Sequence, residues 1–97
     1  MNKTEILSQL SNSTNDFKKL GVNRIALFGS YAKGTEHKKS DIDLFVEFNP
    51  EKETYDNFIS LCFYLDKLFT GKKVEVVTKG GVSPYIEPEI LKYAAYA

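Results

Sequence analysis

The sequence predicts one α/β (α+β) domain spanning residues 1–97, a small mixed β-sheet of three to five strands flanked by helices. Three observations carry this expectation. Apolar runs of strand character occupy residues 23–28, 41–48 and 73–78. Segments with apolar residues at helical spacing lie before, between and after them. Glycine or proline stands at most of the joins, at Gly21, Gly29, Pro50, Gly71 and Gly80-Gly81.

The totals set the limits. A chain of 97 residues buries roughly two-thirds of its unfolded surface in a single core. At 42% hydrophobic and 27% charged it is too apolar for disorder. Lys and Arg number 13 against 13 Asp and Glu, so net charge gives no pull toward nucleic acid or a membrane surface. The one cysteine, Cys62, has no partner for a disulfide and reads as a small core residue in a reducing compartment. No apolar run nears the ~18 residues of a membrane span, and Met1 to Glu5 lacks a signal-peptide core. The expectation is a cytoplasmic protein without strong nucleic-acid binding.

Each element has its own signal. Ile6, Leu7, Leu10, Phe17 and Leu20 predict one helix over residues 3–20, despite the poor helix formers Ser11 to Asn15. Gly21 ends it before the first strand, Asn23 to Phe28. Arg24 reads as a solvated strand-edge charge, with a partner or phosphate contact as the alternative. Ser30 to Lys33 begins a short helix closed by Gly34, and a polar loop follows to Lys39. His37 in that loop has no second His or Cys at ligand spacing and is expected to be exposed. The second strand ends near Asn49-Pro50, where proline removes a ladder donor. From Thr54, a good N-cap, Phe58, Leu61, Cys62, Leu65, Leu68 and Phe69 mark the core stripe of a helix. Ile59, Phe63 and Tyr64 widen it, as core or as a contact for another chain. Gly71 precedes the third strand, Lys73 to Thr78. Pro88 falls in the first turn of a last helix over residues 87–96, which has little polar face.

The chemistry centres on residues 25–48. Ile42, Leu44, Val46 and Phe48 alternate with Asp41, Asp43, Phe45 and Glu47, so Asp41 and Asp43 point to one side of a strand. Aspartate is depleted in strands and like charges on one face repel, so another demand must favour the pair. A divalent cation supplies it, since Mg²⁺ takes oxygen ligands, often one or two carboxylates with water and substrate phosphates. The Gly29-Ser30 turn complements such a site, because glycine admits close backbone approach and a helix starting there aims N–H groups at an anion. Lys33 lies within reach of phosphate in that helix. Gly29 to Gly34 has P-loop spacing, but Thr35-Glu36 stands where Lys and Ser/Thr are required, which excludes a Walker site. Taken alone, the aspartates could be the solvated face of an edge strand and Gly29-Ser30 an ordinary turn.

Together these residues carry a resemblance. Leu27-Phe28-Gly29-Ser30-Tyr31-Ala32-Lys33-Gly34 with Ser40-Asp41-Ile42-Asp43-Leu44 resembles the signature of the nucleotidyltransferase superfamily that includes DNA polymerase beta, and in particular its minimal nucleotidyltransferases. The likeness runs from about Leu20 to the C-terminus and includes Ser83 to Ile86 and Lys92 to Tyr96. It implies a polymerase-beta palm-like fold and transfer of a nucleoside monophosphate, AMP from ATP foremost, to a hydroxyl. Under it Asp41 and Asp43 hold two Mg²⁺ ions, and Glu75, in line with them on the third strand, completes a metal or takes the hydroxyl proton. Gly29 and Ser30 bind the triphosphate, Lys33 reaches its oxygens, and Ser40 adds a phosphate contact. The minimal family usually has aspartate where this chain has Glu75, which places turnover in question. The expected partner is a HEPN-domain ribonuclease toxin, with this chain as the antitoxin that AMPylates it. The alternatives are a noncatalytic antitoxin that acts by occlusion, or a transferase with a small-molecule or RNA acceptor. Homodimer, heterocomplex and monomer stay open.

Overall fold

The first helix begins where capping chemistry places it. The Asn2 side chain accepts from the Glu5 N–H at 2.9 Å while Glu5 Oε1 accepts from the Asn2 N–H at 3.2 Å, a reciprocal capping box. In the computed structural model, which describes residues 1–97, the helical stretch expected over 3–20 is two helices, α1 (Lys3–Asn12) and α2 (Thr14–Lys19). The break at Ser13 has a local cause. The Ser13 hydroxyl donates to the Gln9 carbonyl at 3.1 Å and the Thr14 hydroxyl to the Ser11 carbonyl at 2.8 Å, side-chain bonds that compete with the helical ladder. The second helix turns Phe17 into the core beside Ile6 and Leu10.

Next come β1 (Val22–Phe28), α3 (Gly29–Lys33), β2 (Ile42–Phe48), α4 (Tyr55–Leu68), β3 (Val74–Thr78), α5 (Glu87–Leu91) and β4 (Ala95–Tyr96). The sheet order is β3-β2-β1-β4, with β2 and β3 parallel and both other pairs antiparallel, so the predicted mixed sheet has four strands. The parallel pair requires a crossover, and α4 provides it. Thr54 caps that helix as expected, accepting from the Asn57 N–H at 3.1 Å.

One face of the sheet makes the core. Ile25, Leu27, Ile42, Leu44, Val46 and Phe48 pack against Ile6, Leu10, Phe17, Leu61, Leu65 and Phe69. Each fully buried side chain of this kind contributes roughly 1.5–3 kcal/mol. The alternate positions of β2, Asp43, Phe45 and Glu47, point to the opposite face. Cys62 is only half-buried, and burial together with nearby Asp66 pushes its thiol pKa up. No helix is long and apolar enough to cross a membrane.

The C-terminal expectation is corrected. The helix predicted over 87–96 stops at Leu91, and Ala95 and Tyr96 pair instead with Leu27 and Ala26. The Ala97 N–H extends this ladder to the Ile25 carbonyl at 3.0 Å. Without β4, β1 would show an unpaired edge, and satisfying that edge outweighs the local helical pattern.

Candidate active site

Register brings the site together. Phe28, the last residue of β1, lies opposite Asp43, and Asp43 lies beside Glu75 across the parallel pair. The turn that follows β1 and the two carboxylates therefore meet at one end of the sheet.

Gly29 is held there by two constraints. Its φ is +74°, where a Cβ is strained, and a Cβ would run into Asp43 Oδ2 and stand 3.0 Å from Asp43 Cγ. Gly34 has the same φ, but its Cβ would meet nothing. Conformation alone asks for glycine at Gly34, as the left-handed cap of α3, whereas Gly29 is also fitted against a carboxylate. Helix α3 starts at Gly29 with no side-chain cap from Phe28, so its first N–H groups are not taken by a side chain.

The carboxylates are coupled. Asp43 is half-buried and its pKa is raised from 3.8 to about 6. Burial is the main cause, followed by the charge of Glu75, a side-chain hydrogen bond with Glu75, and the charge of Asp41. Burial and the two neighbouring carboxylates together make Asp43 reluctant to ionise. Glu75 is half-exposed on the edge strand and also stands 3.5 Å from Lys73 Nζ, an exposed ion pair of small worth.

Asp41 lies just before β2, and no three acidic, His or Cys side chains close on a metal-sized point. Asp43 is coupled to Glu75 most closely, and Asp41 acts on Asp43 through its charge. The donor set still suits Mg²⁺, which takes one or two carboxylates and fills its shell with water and phosphate oxygens.

The remaining predicted residues are less uniform. Ser30 follows Gly29 in the first turn of α3 and is half-buried. Lys33, exposed at the end of α3, has its Nζ 5.5 Å from the centre of the Tyr93 ring. Ser40 is 9% exposed, and its Oγ accepts from the His37 N–H at 2.9 Å, closing the loop that leads into Asp41. His37 is exposed as expected, its Nδ1 accepting from the Lys39 N–H. Arg24 is exposed, as expected, and its guanidinium stacks over the Tyr96 ring at 4.1 Å. Sequence reasoning missed a groove of about 230 Å³ beside Gly29, lined by Phe28, Gly29, Lys33, Glu89, Ile90 and Tyr93. The predicted long helix takes Ile90 and Tyr93 into one continuous apolar surface, and the resemblance over Lys92 to Tyr96 gives Tyr93 no role.

Comparison with known proteins bears on the family and the fold. A family model for the nucleotidyltransferase domain matches residues 7–97. The protein adenylyltransferase MntA of Thermococcus cleftensis is 34% identical over 79 residues, 81% of this chain and 78% of that protein. A solved structure provisionally described as a minimal nucleotidyltransferase superposes with a TM-score of 0.83 at 26% identity, covering 98% of this chain and 95% of the other. One chain of a crystal structure of the toxin–antitoxin pair MntA-HpeT, in a mutant form, superposes with a TM-score of 0.65 at 25% identity, covering 100% of this chain and 72% of that one.

Proposed function

Because this chain belongs to the nucleotidyltransferase domain family, and within it is similar to the minimal members, we propose that it transfers AMP from ATP to a hydroxyl of a HEPN-domain toxin and so serves as that toxin's antitoxin. The observation that carries the reading is the fit of Gly29 against Asp43, with Glu75 in register beside it. One corner thus combines a turn open to phosphate with an oxygen cluster suited to a divalent cation. Transfer to a protein is supported by the likeness to a relative named protein adenylyltransferase. A toxin partner is supported by the likeness to a chain of a toxin–antitoxin pair.

The acceptor oxygen bonds to the α-phosphorus, the bond to the pyrophosphate oxygen breaks, and the hydroxyl proton leaves to a carboxylate. Asp41 and Asp43 hold Mg²⁺ in this reading, and Glu75 supports the metal or receives that proton. When bound, Mg²⁺ neutralises charge developing on the phosphoryl oxygens. Gly29 and Ser30 offer backbone N–H groups to the triphosphate, and Lys33 lends it a positive charge. Ser40 adds to phosphate binding through the loop that it closes. Because Mg²⁺ keeps several waters, metal binding without nucleotide should be weak.

The test is incubation of the purified chain and its HEPN partner with Mg²⁺ and each NTP, read by intact mass, beside Asp41→Asn/Asp43→Asn. A gain of AMP on the partner, absent with the double variant, is expected. A tight complex with no mass gain from any NTP would sink the transferase reading and leave an antitoxin that acts by occlusion.

A further inference from the structure

We infer that Tyr93 is the shelf on which the base of the bound nucleotide stacks, with Lys33 joining that shelf to the phosphate turn. The inference rests on the nucleotide reading above and adds to it the residue that holds the base.

The groove beside Gly29 is continuous with the proposed phosphate site, since Gly29 and Lys33 belong to both. On its far wall the Tyr93 ring is 53% exposed and lies outside the core cluster. Lys33 Nζ and Lys92 Nζ lie 5.5 and 5.6 Å from the centre of that ring. Both ammonium groups lie over the ring, and Lys33 is one helical turn from the phosphate turn. A π face that already draws cations suits a flat heterocycle joined to a polyanion, the base taking the ring face as the lysines turn to the phosphates. The size of the groove narrows the choice. At about 230 Å³ it is smaller than the ~300–1,000 Å³ of drug-sized sites, enough for a base with part of its sugar and too small for a helix or a long peptide. An aromatic side chain of a protein partner is the competing occupant. Continuity with Gly29 and the position of Lys33 favour the nucleotide.

Calorimetric titration separates base from phosphate recognition by comparing Mg²⁺-ATP with Mg²⁺-tripolyphosphate on the full chain. Tyr93→Ala is expected to weaken ATP about 5- to 20-fold, the lower part of the range for one stacked base, and to leave tripolyphosphate within about twofold. Tyr93→Phe should bind ATP like the native chain, and Tyr85→Ala, which removes a ring 92% exposed, should too. The adenine H2 and H8 resonances of ATP should move upfield with the native chain and not with Tyr93→Ala. Unchanged ATP affinity in Tyr93→Ala, or equal loss of both ligands, would overturn the inference while native ATP binding kept the transferase reading intact. Weaker toxin binding with unchanged ATP affinity would assign the ring to the protein partner. Failure of the native chain to bind either ligand would remove both readings at once.

Discussion

Asp43→Asn should make this protein more stable at neutral pH. Asp43 has a folded-state pKa of about 6 against an ordinary 3.8, so the folded state holds a proton that the unfolded chain has released between those values. For a carboxyl shifted in this direction, stability is greatest below pH 3.8, falls as pH rises toward 6, and stays low above it. The displacement corresponds to ~3 kcal/mol if unscreened. Asp43 is only partly buried, so solvent screening cuts the penalty to about 1–1.5 kcal/mol at pH 7. Asparagine matches the protonated carboxyl in shape and cannot ionise. In urea unfolding from pH 4 to 8, the two proteins should be nearly equal at pH 4, and the variant should exceed the native chain by about 1–1.5 kcal/mol at pH 7, a rise in Tm of about 4–10 °C for a domain of this size. Carboxylates distant from the site are common to both proteins, so the difference reports Asp43 together with its coupling to Glu75 and Asp41. Mg²⁺ with ATP should shrink the gap by neutralising the native pair. A variant less stable than the native chain at pH 7, or a difference that does not change with pH, would refute the argument that these carboxylates press on one another.

Three more outcomes follow from the same geometry. Gly34→Ala should cost about 1–2 kcal/mol for the left-handed backbone alone; Gly29→Ala should cost about 1–3 kcal/mol more through its contact with Asp43 and should abolish AMP transfer, as thermal melts beside mass spectrometry of the partner would show. If Glu75 supports the metal or takes the proton, Glu75→Asp should stay within about tenfold of native transfer, whereas Glu75→Gln should lose about 100-fold or more; an active Glu75→Gln would reduce Glu75 to a surface residue. Thr54→Ala should cost ~1 kcal/mol by removing the α4 cap, measured by chemical denaturation, with partner modification unchanged at temperatures where the fold holds.

What could be read from the sequence follows how local each signal is. The period-2 alternation of Asp41 to Phe48, the Thr54 cap and the stripe on α4 each lie within one element, and each was found there. The pairing of Asp43 with Glu75 needed only the extra assumption that β3 lies beside β2. The C-terminus was misread because Ala94, Ala95 and Tyr96 suit a helix locally, and only an unpaired edge on β1, far away in sequence, draws them into a strand. The groove at Tyr93 was hidden for the same reason. With a helix running to residue 96, Ile90 and Tyr93 are two positions on a helix with little polar face, and nothing sets them beside Gly29. Once α5 stops at Leu91, Tyr93 stands half-exposed beside Lys33.

The order of the strands also bears on where an acceptor approaches. Asp43 lies on an interior strand, between β1 and the outermost strand β3. On the β1 side Gly29 packs directly against its carboxylate, leaving no space for a reactant between them. On the β3 side Glu75 is half-exposed at the rim of the sheet. A nucleotide lying along Gly29 and the Tyr93 groove would thus occupy the β1 side, and an acceptor hydroxyl would come in across β3 to reach the α-phosphorus. On the proposed reading, Glu75 at that rim would be the carboxylate placed to meet the incoming oxygen and take its proton.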